Sequence, residues 1–283
     1  MECGGNQVYL ELSTVTYLPY CDLLQAVDRG SRLGFRFVEL PGDRPHAWPK
    51  DFSRQRRKSM REFLKDHDIE AEIISIDGSY LIGPGLCTED RDANRDILTY
   101  VKDLIELGHD FGCSKAIVSP GRPLLSTSPQ KAATLAVKGI QNCADFASSY
   151  DMTVCVENTP FASGLLDTPS KMSRFIKDVS AKNLGVRLDP CHCNVSGANF
   201  DDFCNALRGR IASAGMHDNN GTADQHLPIG RGTVPIKSAI HTLRDVGYSG
   251  SLTIEILPFE GWSIAEAESN ISESKRIMER LLL

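Results

Sequence analysis

Short apolar, β-branched runs recur along the chain, and most are followed by a longer stretch in which apolar residues return every three or four positions. The strand candidates are Gln7–Leu12, Phe35–Leu40, Ala71–Ile76, Lys115–Val118, Met152–Val156, Leu184–Leu188, Ile211–Met216 and Leu252–Ile256. The amphipathic pattern predicts helices over Cys21–Leu33, Ser53–Asp66, Arg91–Phe111, Pro129–Tyr150, Ser170–Val179, Pro235–Val246 and Ala265–Leu282. Glycine closes two of these runs, at Leu33-Gly34 and Val246-Gly247, as expected of helix C-termini. Strands alternating with helices imply βαβ units and a parallel sheet, and eight such units close into an α/β fold of the (β/α)8 barrel type. The rival, an open doubly wound sheet, is weakened because no GxGxxG follows the first strand.

Length supports one barrel. The 283 residues divide into eight units of about 35 residues each, and no Pro/Ser-rich linker breaks the chain, so residues 1–283 read as a single domain. Composition is that of a globular enzyme, with 41% hydrophobic and 24% charged residues. Acids outnumber bases by 37 to 31, a net charge of −6, which argues mildly against a duplex-DNA binder. The nine cysteines form no CxxC pair, so neither a zinc ribbon nor a thioredoxin-like motif is supported. The N-terminus lacks a basic segment followed by an apolar run, and no stretch reaches the roughly 18 apolar residues of a membrane span. A reduced, cytoplasmic protein with inert thiols is the expectation.

The chemistry of such a barrel is built at the carboxyl ends of its strands. There the fifth strand presents Glu157, the sixth Asp189, the seventh His217 and the eighth Glu255, separated by 32, 28 and 38 residues, about one βα unit each. Oxygen and imidazole donors in this register suit Mn²⁺, Mg²⁺, Co²⁺ or Zn²⁺. A carboxylate at one strand end is commonly just a helix N-cap or a salt-bridge partner. Three acids and a histidine at one rim are harder to explain so, because like charges brought together need a cation. Beside them lie His192 and the loop pair Asp224 and His226, which could hold a second metal, bind a polyhydroxylated substrate, or form a solvated polar loop. Glu39, at the end of the second strand, is a candidate for substrate contact or a loop cap.

The segments Val156-Glu157-Asn158, Asp189-Pro190-Cys191-His192, His217-Asp218-Asn219, Asp224 to Gly232 and Ile254-Glu255 resemble those of the xylose isomerase-like TIM-barrel superfamily. That group contains sugar isomerases and epimerases, inosose dehydratase-type enzymes and endonuclease IV. The resemblance implies one divalent metal held by Glu157, Asp189, His217 and Glu255, as in ketose epimerase-like members. Endonuclease IV would use His192, Asp224 and His226 for its third zinc, but it also needs histidines on strands 3 and 4. Here strand 3 ends at Asp77 and strand 4 at Ser119, a poor zinc ligand. The arginine that epimerases supply after strand 7 is also missing, with Ala223 near its place and Arg231 or Arg122 as substitutes.

A metal-dependent sugar isomerase or epimerase is therefore expected. Glu157 and Glu255 would exchange a carbon-bound proton next to a carbonyl on a small polyhydroxylated substrate, through a metal-stabilised enediolate. His192 would steady a substrate oxygen. A dehydratase or lyase of the inosose dehydratase type, an endonuclease IV-like enzyme and a non-catalytic binding barrel are the alternatives; nucleic acid and membrane are not expected partners. Other side chains carry weaker signals. Trp48 and His46 could cover the barrel mouth, and Phe259, Glu260 and Trp262 could shape a pocket wall. Cys191 and Cys193 read as packing residues, Arg54 to Lys58 as a solvated helical face, and His67, His109 and His241 as lying away from the rim. The apolar end, Met278 with Leu281, Leu282 and Leu283, could dock on the barrel or on a second copy in a homo-oligomer.

Overall fold

The computed structural model describes residues 8–76, 85–160, 165–258 and 261–283. Eight parallel strands close on one another in sequence order: β1 Tyr9–Ser13, β2 Phe37–Pro41, β3 Glu70–Ser75, β4 Lys115–Ile117, β5 Thr153–Glu157, β6 Leu184–Leu188, β7 Ile211–Met216 and β8 Ser251–Ile254. The barrel closes where β1 pairs with β8, Leu10 opposite Leu252 and Leu12 opposite Ile254. Expected and observed strands agree to within two residues at the ends that can be compared; Gln7 and Asp77 lie outside the described residues.

Nine α-helices surround the barrel among the described residues: α1 Leu23–Arg32, α2 Arg54–Asp66, α3 Arg91–Phe111, α4 Pro129–Ser148, α5 Pro169–Val179, α6 Pro190–Ser196, α7 Phe200–Ala206, α8 Ile236–Asp245 and α9 Ile264–Leu282. Side-chain caps mark several starts. Asp22, Ser53, Asp90, Ser128 and Thr168 each accept a backbone N–H of the first turn, and Ser263 with Glu266 forms a full capping box on α9. The α6 and α7 helices, seven residues each, went unpredicted. Two turns are too short for a periodicity signal to stand out.

Most apolar side chains fill the shell between strands and helices, whereas Ile73, Ile117 and Cys155 form a separate small cluster. Much else on the strands is polar and buried: Glu11, Glu39, Arg187, Ser213 and Thr253 are all nearly inaccessible. The C-terminal residues dock on the barrel, with Met278 in the core, Leu281 and Leu282 packed against it and Leu283 exposed. Every described cysteine is a free thiol, and no described helix is long and apolar enough to cross a membrane.

Candidate metal centre and active site

Successive side chains on a strand point to opposite faces, so Arg187 and Asp189, two apart at the end of β6, share a face. Asp189 divides its carboxylate between two tasks. Its Oδ1 accepts the N–H groups of Cys191 (2.6 Å) and His192 (3.3 Å), capping α6, while Oδ2 lies 3.3 Å from His217 Nε2. The residue is thus both the helix cap that a lone strand-end carboxylate suggests and part of a donor cluster. Asn158, just beyond β5, fixes it, donating from Nδ2 to Asp189 O (2.9 Å) and accepting Asp189 N–H at Oδ1 (2.8 Å). The Asn158 carbonyl also accepts from His192 Nδ1 at 2.7 Å, which leaves His192 Nε2 free to face Asp224 Oδ2 at 3.3 Å.

The loop after β7 completes the group. Asp224 Oδ1 lies 3.6 Å from His217 Nε2, and its Oδ2 lies 3.5 Å from His226 Nε2. One donor atom from each of His192, His217, Asp224 and His226 falls within 4.8 Å of the others; Glu157, Asp189 and His192 form a second such set, and Asp189, Cys191 and His217 a third. His217 Nε2 is fully buried and makes no hydrogen bond, although two carboxylate oxygens stand near it. A buried nitrogen left in that state is costly unless another partner completes it. Imidazole nitrogens and carboxylate oxygens converging on it are a donor set that Zn²⁺, Mn²⁺ or Co²⁺ accepts.

The four expected ligands do not converge as one set. Asp189 meets His217, and Glu157 meets Asp189, but Glu255 belongs to none of the three groups among the described residues. Glu255 turns to Arg187 instead, its Oε2 accepting from Nη2 at 2.5 Å, with Oε1 3.7 Å from His226 Nδ1. Glu157 Oε1 also lies 3.0 Å from Arg187 Nε, without hydrogen-bond alignment. Glu39, a candidate for substrate contact or a loop cap, faces inward. Its side chain is only 3% exposed and is hydrogen-bonded to Arg187 Nη1, so the carboxylate faces the protein's own guanidinium.

Arg187 is the residue that sequence reasoning missed. A charged residue two positions before Asp189 in the buried run LGVRL was the available signal, because alternation puts both on one face. Asp218 and Asn219, beside His217, anchor the loop that follows. Asp218 accepts the N–H groups of Asn219, Gly230 and Val234 (2.9, 2.9 and 3.1 Å), and Asn219 Nδ2 donates to Cys191 O at 2.8 Å.

These surroundings separate the acidities. Burial opposes charge on Asp189, yet the imidazoles of His217 and His192 hold its carboxyl well below the usual range. Burial likewise disfavours cationic His192 and His226, but Asp189 and Asp224 lift His192 well above its ordinary value, and Asp224 with Glu255 lifts His226 to about 9. Burial raises Glu157 to about 7 against the pull of Arg187. Glu255 is also buried, but Arg187, His226 and His217 outweigh that cost and lower it.

Other expectations find simpler places. His46 is buried, with Nδ1 3.3 Å from Thr14 Oγ1 and Nε2 3.2 Å from Cys21 O, and Trp48 stacks on Tyr100 at 5.0 Å. Cys191 Sγ donates to His217 O at 2.8 Å, a packing role with a hydrogen bond added. Ser119 Oγ accepts Gly121 N–H at 3.0 Å within the turn after β4. Arg231 sits 3.5 Å from Glu273 on the surface. Arg57, within the expected solvated face, pairs with Glu106 and Asp110. Phe259 and Glu260 lie outside the described residues.

Comparison with known proteins identifies the fold family. Residues 27–281 match the family described as the xylose isomerase-like TIM barrel. D-psicose 3-epimerase of Agrobacterium fabrum is 32% identical over 120 residues, 42% of this chain and 40% of that protein. The chain spans about half the length of two of the curated relatives it matches, 55% and 40%. Among solved structures, a D-tagatose 3-epimerase-like protein superposes with a TM-score of 0.82 at 22% identity, covering 96% of each chain. The IOLI protein with a bound zinc atom gives 0.81 at 18% identity, over 96% of this chain and 97% of that one. With the closed eight-stranded barrel and a family match over nearly the whole length, this chain belongs to the xylose isomerase-like TIM-barrel family.

Proposed function

We propose that the chain is a divalent-metal-dependent isomerase or epimerase acting on a small polyhydroxylated carbonyl compound. The observation that carries this reading is the buried, unpartnered His217 Nε2 beside Asp189 Oδ2, at the strand ends where Glu157 and Glu255 also stand. The likeness to D-psicose 3-epimerase and to a zinc-bearing relative supports the same class. Glu157, Asp189, His217 and Glu255 would hold the cation, with His192, Asp224 and His226 at hand for a second ion or for substrate hydroxyls. A cation bound there supplies Lewis acidity, stabilising charge that develops on a substrate carbonyl oxygen.

The protein's own residues divide the proton work. Glu157, ending β5, and Glu255, just beyond β8, are placed to exchange a proton with the carbon next to the carbonyl. One of the two removes that proton and the other returns it. His192, a donor through Nε2 toward Asp224, is positioned to hold a substrate oxygen. The test is deuterium uptake from heavy water at carbon adjacent to the carbonyl, across a panel of ketoses, with the metal content of the purified protein counted. Absence of exchange on every ketose, with metal bound, would overturn the isomerase reading.

A second reading keeps a specific observation behind it. The His192, His217, Asp224 and His226 group is a ligand set of its own, so two ions per chain would favour hydrolytic chemistry over proton transfer. The Ser119 hydroxyl, engaged in a turn where an endonuclease IV-like site needs histidine, counts against the nuclease form. A dehydratase would share the first ligand set and differ in product.

A further inference from the structure

We propose that Arg187 is a positioning residue that competes with the divalent cation for Glu157 and Glu255, so that a built-in guanidinium sets metal affinity in this chain. The inference rests on the metal-centre reading above. Its basis is the reach of one side chain. From β6, Arg187 touches Glu39 on β2 and Glu157 on β5, together with Glu255 just beyond β8. In a barrel whose strands follow sequence order, β2 lies opposite β6, so the guanidinium must span the interior.

The arrangement is built rather than incidental. Arg187 is 1% exposed, and burying a guanidinium is costly unless its N–H groups are matched by carboxylates. Gly215 on β7 makes the room: a Cβ there would stand 2.5 Å from Asp189 Oδ2 and 3.2 Å from Arg187 Nε. Glu39, itself buried, ties one end of the fork, which keeps Arg187 in the interior when the other carboxylates are drawn elsewhere. Glu157 and Glu255 are each 22% exposed on their side chains, and the carboxylates that would bind an ion are those facing the guanidinium, Glu255 through a hydrogen bond and Glu157 as an ion pair without hydrogen-bond alignment. An ion at the rim therefore gains less from them than it would from free carboxylates.

The test is titration of the chelator-treated protein with Mn²⁺ and, separately, Zn²⁺, by calorimetry. Three proteins are compared: wild type, Arg187→Lys, and the charge-balanced double variant Arg187→Met with Glu39→Gln. The double variant leaves the net charge of the site unchanged, so it reports release of Glu157 and Glu255 alone. It should bind the ion about tenfold more tightly than wild type, with Arg187→Lys between them, since one ammonium cannot grip three carboxylates in a fork. Its thermal midpoint should also rise more on metal addition than that of wild type. Affinity equal to or weaker than wild type in the folded double variant overturns the competition and leaves the metal centre standing. If circular dichroism shows that variant unfolded, the same comparison on Arg187→Lys decides. Failure of all three proteins, wild type included, to bind either ion overturns the metal-centre reading and this inference with it.

Discussion

His226 lies flat on His217, their ring centroids 3.8 Å apart and their planes within 13°. The stack brings a loop residue over a strand residue, and it requires His226 to adopt a left-handed backbone at φ 50°. That conformation costs a non-glycine residue about 1 kcal/mol and persists only where surrounding contacts enforce it. Asp218, accepting three backbone N–H groups, together with the bridge between Asp218 and Leu227, supplies the enforcement.

Removing that anchor should loosen the loop after β7. Asp218→Ala leaves the N–H groups of Asn219, Gly230 and Val234 without their acceptor, at a cost of about 2–4 kcal/mol. Urea unfolding should show the loss, and calorimetry should show metal affinity falling as Asp224 and His226 lose their placement. Unchanged affinity would mean the loop contributes nothing to the ion.

Space beside the centre is equally tight. Gly215→Ala would place a methyl group 2.5 Å from Asp189 Oδ2, forcing either the carboxylate or the guanidinium to move. Destabilisation of about 1–3 kcal/mol is expected, with metal affinity reduced at least tenfold. Wild-type metal affinity in a folded variant would show that Asp189 is not held where the ion needs it.

The paired-carboxylate chemistry makes its own prediction. Glu157→Gln and Glu255→Gln should each lower kcat by about 10²–10⁴-fold, the range for loss of a positioned acid or base. Deuterium exchange into a turned-over ketose should fall in parallel. Full turnover in both variants would remove the proposed mechanism.

Glu11 gives a pH dependence unconnected with the metal. It is fully buried, accepts from Thr253 Oγ1 at 2.6 Å, and has its other oxygen without a partner. Burial, with Glu72 and Glu39 nearby, raises it to about 8. The folded protein therefore keeps a proton that the unfolded chain, with an ordinary carboxyl near 4.5, gives up. The stabilisation is fully present below about pH 4.5 and is lost as pH rises through about 8, of order a few kcal/mol in all. Urea midpoints at pH 5 and pH 9 should converge in Glu11→Gln compared with wild type. An equal difference in both proteins would show that Glu11 is ionised throughout.

The fold was largely legible because its signals are local. Runs such as LGVRL and LTIEI mark strands by themselves; Asp189 and His217 follow such runs directly, and Glu255 stands within the last. The α6 and α7 helices are not legible in the sequence because seven residues, two turns, carry too little periodicity.

What the sequence determined by itself is the alternation of eight strands with helices and the placing of Glu157, Asp189, His217 and Glu255 at one rim. Both follow from side-chain period and chain spacing, which need no long-range information. Tertiary structure alone decided which of these donors meet. Closure of the barrel sets β2 opposite β6, and so makes Glu39 the buried partner of Arg187. It also draws Glu255 toward that guanidinium, while the folded loop brings Asp224 and His226 to His217. Contacts across an interior depend on three-dimensional closure, and spacing along the chain does not encode them.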